Sequence, residues 1–358
     1  MRVNPALDAV GAHPIAAIQQ HVRDLRERGR GVIDFSIGDP LEPTWEAIPE
    51  AVRGAVPAVS QYPTTRGLGE LRRAIAGYVG RRFKVDVDPD TQVLPTSGSK
   101  EAIFSTALAF VDRSRGDAVA FPDPAYPVYE RGAVLAGARP VAVATDDEFL
   151  LTANLIDRAL WRQLALLWVC TPSNPTGVVT GREHLGDLVD TARANDVLLC
   201  SDECYIDLGE EGAEPAPSVL EVAGEGSDGV LSYLSLSKRS GMTAYRSGAI
   251  VGDPAAIDQL YRLRTSTGTA SPEFVQAGAV VAWSDDEHVA PRRSAFSAKR
   301  AILRRVFEDR GMRVWAEAGL YLWIEVGDDL AVTERLAEAG VVVSPGRVFG
   351  ERGVGHIR

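Results

Sequence analysis

The run LALLWVC, from Leu164 to Cys170, followed directly by Thr171-Pro172-Ser173-Asn174-Pro175-Thr176-Gly177, decides how this chain is read. An unbroken apolar run of that length suits a strand buried on both faces, and the turn residues after it mark the strand's carboxyl end. Outward from it, similar runs recur at Asp117 to Phe121 (DAVAF), Arg139 to Ala144 (RPVAVA), Val197 to Cys200 (VLLC) and Gly229 to Leu236 (GVLSYLSL). Amphipathic stretches separate several of them. Glu183 to Ala194 puts Leu185, Leu188, Val189 and Ala192 on one face, and Glu101 to Val111 is apolar on one side. The alternation predicts an α/β fold with a three-layer α/β/α large domain around a mostly parallel sheet.

The two ends read differently. A helix-like segment from Ile15 to Arg26 and a strand-like VIDFSIG precede residue 45. A charged helix pattern from Arg292 to Arg310, the strand-like GLYLWIEV and GVVVSPG, and a helix from Ala331 to Ala339 lie near the other end. Both ends are expected to form one smaller α+β domain, residues 1–45 and 273–358, with the large domain over 46–272. The basic run Arg292, Arg293, Lys299, Arg300, Arg304 and Arg305 reads as the solvated face of its helix, and Trp161, Trp168, Trp283, Trp315 and Trp323 as packing.

With 358 residues, 45% of them hydrophobic and 24% charged, the composition is that of a globular chain with a substantial core. The net charge is 38 − 49 = −11, which argues against nucleic acid or an anionic membrane surface as partner. Any anionic ligand then needs a local cluster of donors. Cys170, Cys200 and Cys204 form an odd set without disulfide spacing, which suits a reducing cytoplasm. No matching second pair joins Cys200 and Cys204, and His13, His21, His184, His288 and His356 are scattered, so no metal site is expected. Neither a signal core nor a membrane-spanning stretch is visible.

Ligands of open α/β sheets sit beyond the carboxyl ends of the strands, and here three apolar runs end in polar clusters. These are Thr171 to Gly177, Ser201-Asp202-Glu203-Cys204-Tyr205, and Ser237-Lys238-Arg239-Ser240. A fourth, Thr96-Ser97-Gly98-Ser99-Lys100-Glu101, opens an apolar helix whose first N–H groups suit an anion. Taken singly, each is an ordinary turn, cap or solvated strand end. The three strand-end clusters together supply one lysine, one aspartate, one asparagine, one tyrosine and several hydroxyls, with Arg246 eight residues after Lys238 as a planar fork for phosphate. That is the set a pyridine-aldehyde cofactor needs.

The chain resembles the fold-type I pyridoxal 5'-phosphate (PLP) enzymes of the aspartate aminotransferase family, class I/II. The likeness runs through Ser36-Ile37-Gly38-Asp39-Pro40, Tyr62-Pro63 with Gly67 and Glu70-Leu71-Arg72, Ser97-Gly98-Ser99 and Asp123-Pro124-Ala125-Tyr126-Pro127. It continues through Asn174-Pro175-Thr176-Gly177, Ser201 to Tyr205, Ser235-Leu236-Ser237-Lys238 and Tyr245-Arg246-Ser247-Gly248. The resemblance implies that Lys238 holds PLP as an imine and moves the substrate proton, while Asp202 keeps the pyridine nitrogen protonated. Tyr205 and Asn174 would bond the phenolate oxygen, and Tyr126 would stack on the ring. The phosphate would lie among Ser99, Lys100, Ser235, Ser237 and Arg246, with Tyr62 reaching in from the second subunit of a homodimer. Gly38 and Arg358 would meet the substrate carboxylate. Family members usually continue past the His356-Ile357-Arg358 motif with an apolar strand and a final helix, whereas the sequence stops at Arg358; either a tail is omitted or the terminal segment is truncated, and an arginine at a free terminus would be loosely held.

Transamination with glutamate as donor is the reaction the resemblance implies. The finer likeness, through Ser201 to Tyr205, Ser235 to Ser240 and Gly319-Leu320-Tyr321-Leu322-Trp323, is to succinyldiaminopimelate transaminases of lysine biosynthesis. Their substrate is N-succinyl-LL-2,6-diaminopimelate, whose extra carboxylates would engage Arg239, Arg264 or Arg66. An aminotransferase of secondary metabolism and a C–S β-lyase of the same fold remain as alternatives.

Overall fold

The structure is a computed structural model that describes residues 1–11, 14–224 and 226–358, so His13 lies outside the described residues. At its centre is a seven-stranded sheet: β1 (Val93–Thr96), β2 (Ala118–Asp123), β3 (Arg139–Ala144), β4 (Leu164–Cys170), β5 (Leu198–Asp202), β6 (Val230–Ser235) and β7 (Gly248–Gly252). Their order across the sheet is β1-β7-β6-β5-β4-β2-β3. From β6 to β3 the strands pair in parallel, while β7 runs antiparallel to both β6 and β1.

The strand that opened the reading shows why it carries no charge. Leu166, Trp168 and Cys170 enter one core cluster with Ile103, Ala133 and Ile257. Leu167 and Val169 point the other way, into a second with Leu71, Ile75, Leu185 and Leu188. Alternate residues therefore bury against helices on opposite faces, which is the three-layer arrangement. Each fully buried leucine contributes about 1.5–3 kcal/mol, so Leu167→Ala costs about 2–5 kcal/mol with its cavity.

Both chain ends meet in small sheets. Ile33–Asp34 pairs in parallel with Val341–Val342, and Trp323–Glu325 lies between Val314–Trp315 and His356–Ile357 in an antiparallel trio. VIDFSIG and GLYLWIEV thus yield much shorter strands than their apolar character implies. The helix Glu273–Ser284, expected with the small domain, packs elsewhere: Ala279, Ala282 and Trp283 belong to the large core with Ile48, Leu71 and Tyr78. Packing therefore does not break at residue 272.

The basic helix, Val289–Glu308, is not solvated along its whole charged face. Arg292 and Arg300 are buried, at 7% and 4% exposure. Arg292 donates to the carbonyls of Lys238 (3.2 Å) and Pro43 (3.1 Å), and Arg300 to that of Gly319 (2.6 Å). A guanidinium can be buried when backbone carbonyls take its protons, a pairing that helical periodicity does not reveal. The five tryptophans expected to pack are all buried. Among the described residues no helix is long and apolar enough to cross a membrane.

Candidate active site

Strands β4, β5 and β6 end side by side, with Cys170 in register with Asp202 and Asp202 with Tyr233. The chain beyond them encloses a cleft of about 300 Å³. Every site residue expected from the sequence lines it except Tyr62. β5 runs on through Asp202 itself, so this carboxylate is held by the strand ladder. β6 stops at Ser235 and gives way to a single helical turn, Leu236–Arg239, capped by Ser235 Oγ accepting from the Ser237 N–H at 3.1 Å. Lys238 therefore projects from a helical turn instead of a strand end.

One end of the cleft is cationic. The helix Ser99–Phe110 begins after Gly98, whose φ of 79° favours glycine. A Cβ there would lie 2.4 Å from the Arg246 guanidinium, so the missing side chain lets the arginine lie across the helix's first turn. Arg246 itself has φ 53°, a strained backbone of the kind that clusters at functional sites. Burial, then Arg246 and Arg131, lower the pKa of Lys100. Like charges gathered at a helix N-terminus in a chain of net charge −11 fit an anion such as a phosphate.

Further in, Asp202 is 3% exposed. Its Oδ2 accepts from Tyr129 Oη–H at 2.7 Å and its Oδ1 from the Cys204 N–H at 3.2 Å. Burial raises its pKa and these bonds oppose the rise. Tyr205 Oη lies 3.1 Å from Tyr321 Oη. Asn174 Oδ1 accepts from Arg358 at 2.9 Å, so the remaining polar group of its side chain is an N–H donor. Lys238 Nζ donates to the Gly38 carbonyl, and burial, partly opposed by Asp39, brings its pKa down to about 8. A sizeable neutral fraction near physiological pH is what a nucleophilic or proton-moving amine requires.

The other end is arginine-lined. Arg358 is held firmly, against the expectation that it would be loose. Its N–H donates to the Ser344 carbonyl at 2.9 Å and its guanidinium to the Ser36 carbonyl at 2.7 Å, over the rings of Tyr321 (4.1 Å) and Phe349 (4.6 Å). Gly38 is needed because a Cβ would sit 2.0 Å from Tyr321 Oη. Three arginines expected at the cleft mouth do not line it. Arg239 is buried in ion pairs with Asp207 and Asp286, and Arg264 in one with Glu101. Arg66 donates to the Asp90 carbonyl and lies over Tyr261. Tyr62 is fully exposed and away from its own chain's cleft. Tyr129 and Tyr321 were not singled out as site residues from the sequence. Tyr321 lies within the Gly319 to Trp323 motif, and Tyr129 follows Tyr126 by three residues, in the first turn of the helix Val128–Ala136.

A neutralisable lysine, a buried carboxylate, N–H and O–H donors beside it and a cationic helix terminus form the donor set of an enzyme built around PLP. The family model for aminotransferase class I and II matches residues 30–358, and the chain belongs to that family. It is a PLP-dependent aminotransferase. The LL-diaminopimelate aminotransferase of Aquifex aeolicus is 35% identical over 96% of this chain and 90% of its own. A 4-dedimethylamino-4-oxo-anhydrotetracycline transaminase of Streptomyces rimosus is 37% identical over 92% and 88%. The solved structure of a probable N-succinyldiaminopimelate aminotransferase from Thermus thermophilus superposes with TM-score 0.89 at 28% identity, over 96% of this chain and 94% of that one.

Proposed function

We propose that this aminotransferase moves an amino group from glutamate, which leaves as its 2-oxo acid, to the oxo-acid counterpart of a diaminopimelate-class amino acid, in free or N-succinylated form, and back. The observation that carries the chemistry is Lys238, half-neutral near pH 8, facing the Asn174–Arg358 pair across one cleft. When bound, PLP supplies the carbonyl that takes up the amino group and the pyridinium that accepts electrons from the substrate's α-carbon. Lys238 holds the cofactor and carries the proton to and from that carbon. Asp202 sets the charge at the pyridine nitrogen, while Tyr205 and the Asn174 amide donate to the ring oxygen.

Tyr126 covers the ring face, and Ser99, Lys100, Ser235, Ser237 and Arg246 receive the phosphate together with Tyr62 of the partner subunit. Full exposure of Tyr62 in the single chain supports that shared site and the homodimer. Arg358 binds the substrate's α-carboxylate as a planar fork, with Gly38 beside it. The diaminopimelate reading draws support from the likeness to the Aquifex LL-diaminopimelate aminotransferase and to the probable N-succinyldiaminopimelate aminotransferase of Thermus. The Streptomyces relative favours a second reading, an acceptor of secondary metabolism. Three free cysteines suit a reducing compartment, and we place the enzyme in the cytoplasm. The domain division is proposed as the large sheet with its helices, through Ser284, against the small sheets of the two ends.

The test is a single-turnover visible spectrum of the PLP-loaded protein with glutamate, LL-diaminopimelate and N-succinyl-LL-diaminopimelate in separate cuvettes. Bleaching by glutamate and one diaminopimelate form supports the reading and selects the form. Bleaching by glutamate alone leaves the aminotransferase and removes the diaminopimelate assignment.

A further inference from the structure

We propose that Tyr129 is a positioning residue for amino transfer, whose hydroxyl orients Asp202 and keeps it ionised for the pyridine nitrogen. The inference rests on the role given to Asp202 above. Tyr129 is 1% exposed and donates to Asp202 Oδ2 at 2.7 Å. Its ring cannot drift from that contact. One face stacks on Trp168, at 5.0 Å and 15° between planes, and Trp168 packs on Tyr233 at 4.9 Å. Tyr233 Oη in turn lies 2.6 Å from Thr106 Oγ1. These rings belong to the helix Val128–Ala136 and to strands β4 and β6, so three elements grip the phenol behind the carboxylate.

Asp202 needs such a partner. Nearly buried, it would otherwise take a proton at a higher pH, because burial penalises the charged form. Cys204 is the other partner of the carboxylate: its N–H, at 3.2 Å, serves Oδ1 and its side chain also favours the anion, while Tyr129 holds Oδ2. A phenol on Oδ2 stabilises the anion without cancelling its charge, as a guanidinium would, so the full negative charge remains for the pyridinium. Burial and Asp202 itself keep the Tyr129 proton on its oxygen, so the group stays a donor. Tyr126, three residues earlier, meets Tyr129 edge-on at 5.9 Å. The segment entering one helix and that helix's first turn thereby set both the ring face for the cofactor and the prop behind its charge partner.

Tyr129→Phe deletes one oxygen and keeps the stacking ring. The experiment is equilibrium PLP binding to apo-protein across pH for wild type, Tyr129→Phe, Asp202→Ala and the double variant, with apo-protein melting as the folding control. A bond to a charged acceptor is commonly worth about tenfold or more, so Tyr129→Phe should weaken PLP binding by about that factor. It should also move the acid limb of the binding curve to higher pH, which a change in packing alone would not do. In the Asp202→Ala background the tyrosine substitution should add nothing. Wild-type affinity and acid limb in Tyr129→Phe, with Asp202→Ala impaired, overturns the proposal, as do additive losses in the double variant. Unimpaired Asp202→Ala removes the role of Asp202 and this inference with it. Should Tyr129→Phe not fold, Tyr129→His returns a neutral donor: affinity within a few-fold of wild type supports the proposal, and a loss as large as that of Asp202→Ala overturns it.

Discussion

The wall of the cleft proposed to hold the cofactor and the wall proposed to meet the substrate draw on different distances along the chain. Asn174, Asp202, Ser235 and Lys238 stand at or just past the ends of adjacent strands, spaced by the ladder that pairs β4 with β5 and β5 with β6. Arg358 bonds a carbonyl 322 residues away, and position 38 has no room for a side chain because Tyr321, from the far end of the chain, lies against it. Backbone hydrogen bonds fix the first wall, whereas docking of the two chain ends assembles the second. Damage to the first should remove cofactor chemistry, and damage to the second should change substrate affinity while PLP stays bound.

The sharpest way to break that contrast is Lys238→Ala. Loss of a positioned proton-transfer group costs about 10²–10⁴-fold, and loss of the covalent anchor adds to it, so steady-state transamination should fall below detection. Next comes Arg358→Lys, which replaces the planar fork by a point charge. KM for the amino acid should rise about 10- to 100-fold with PLP affinity unchanged; a parallel loss of PLP binding would erase the distinction between the walls. Gly38→Ala should displace Tyr321 and raise KM by about tenfold, a milder version of the same effect.

The pH prediction concerns the cofactor wall alone. Because burial holds the Lys238 pKa at about 8, below its unperturbed value, the neutral amine increases as pH rises. Capture of PLP by apo-protein should accelerate about tenfold per pH unit below that pKa and level off above it. A rate already flat at pH 6 would contradict the assignment. The smallest expected effect is Tyr62→Phe, whose lost hydrogen bond should weaken PLP binding only several-fold; wild-type affinity would count against a shared phosphate site.

Legibility follows the same divide. Strand ends carry dense local signals, so the run from Thr171 to Gly177 and the cluster from Ser201 to Tyr205 could be read directly. Lys238 was visible, but its helical turn was not, since Ser235 capping depends on one side-chain bond. The substrate wall depends on contacts across hundreds of residues. Nothing in the run Arg292 to Arg305 says that Arg292 and Arg300 turn inward to cap carbonyls of distant loops. Nor does Arg239 announce that Asp207 and Asp286 neutralise it away from the cleft. Tyr129 carries no such signal, because its role comes from a bond to Asp202, 73 residues on, and from a stack on Trp168, which pattern alone assigns to packing.

The proposed role of Lys238 is unusually open to test, because the only lysines in the sequence are Lys84, Lys100, Lys238 and Lys299. Borohydride reduction of the PLP-loaded protein, followed by proteolysis and mass mapping, reports which of them holds the cofactor. The pyridoxyl mass should appear on the peptide containing Lys238 and on no other. Modification of Lys100 in its place, or of no lysine at all, would contradict it.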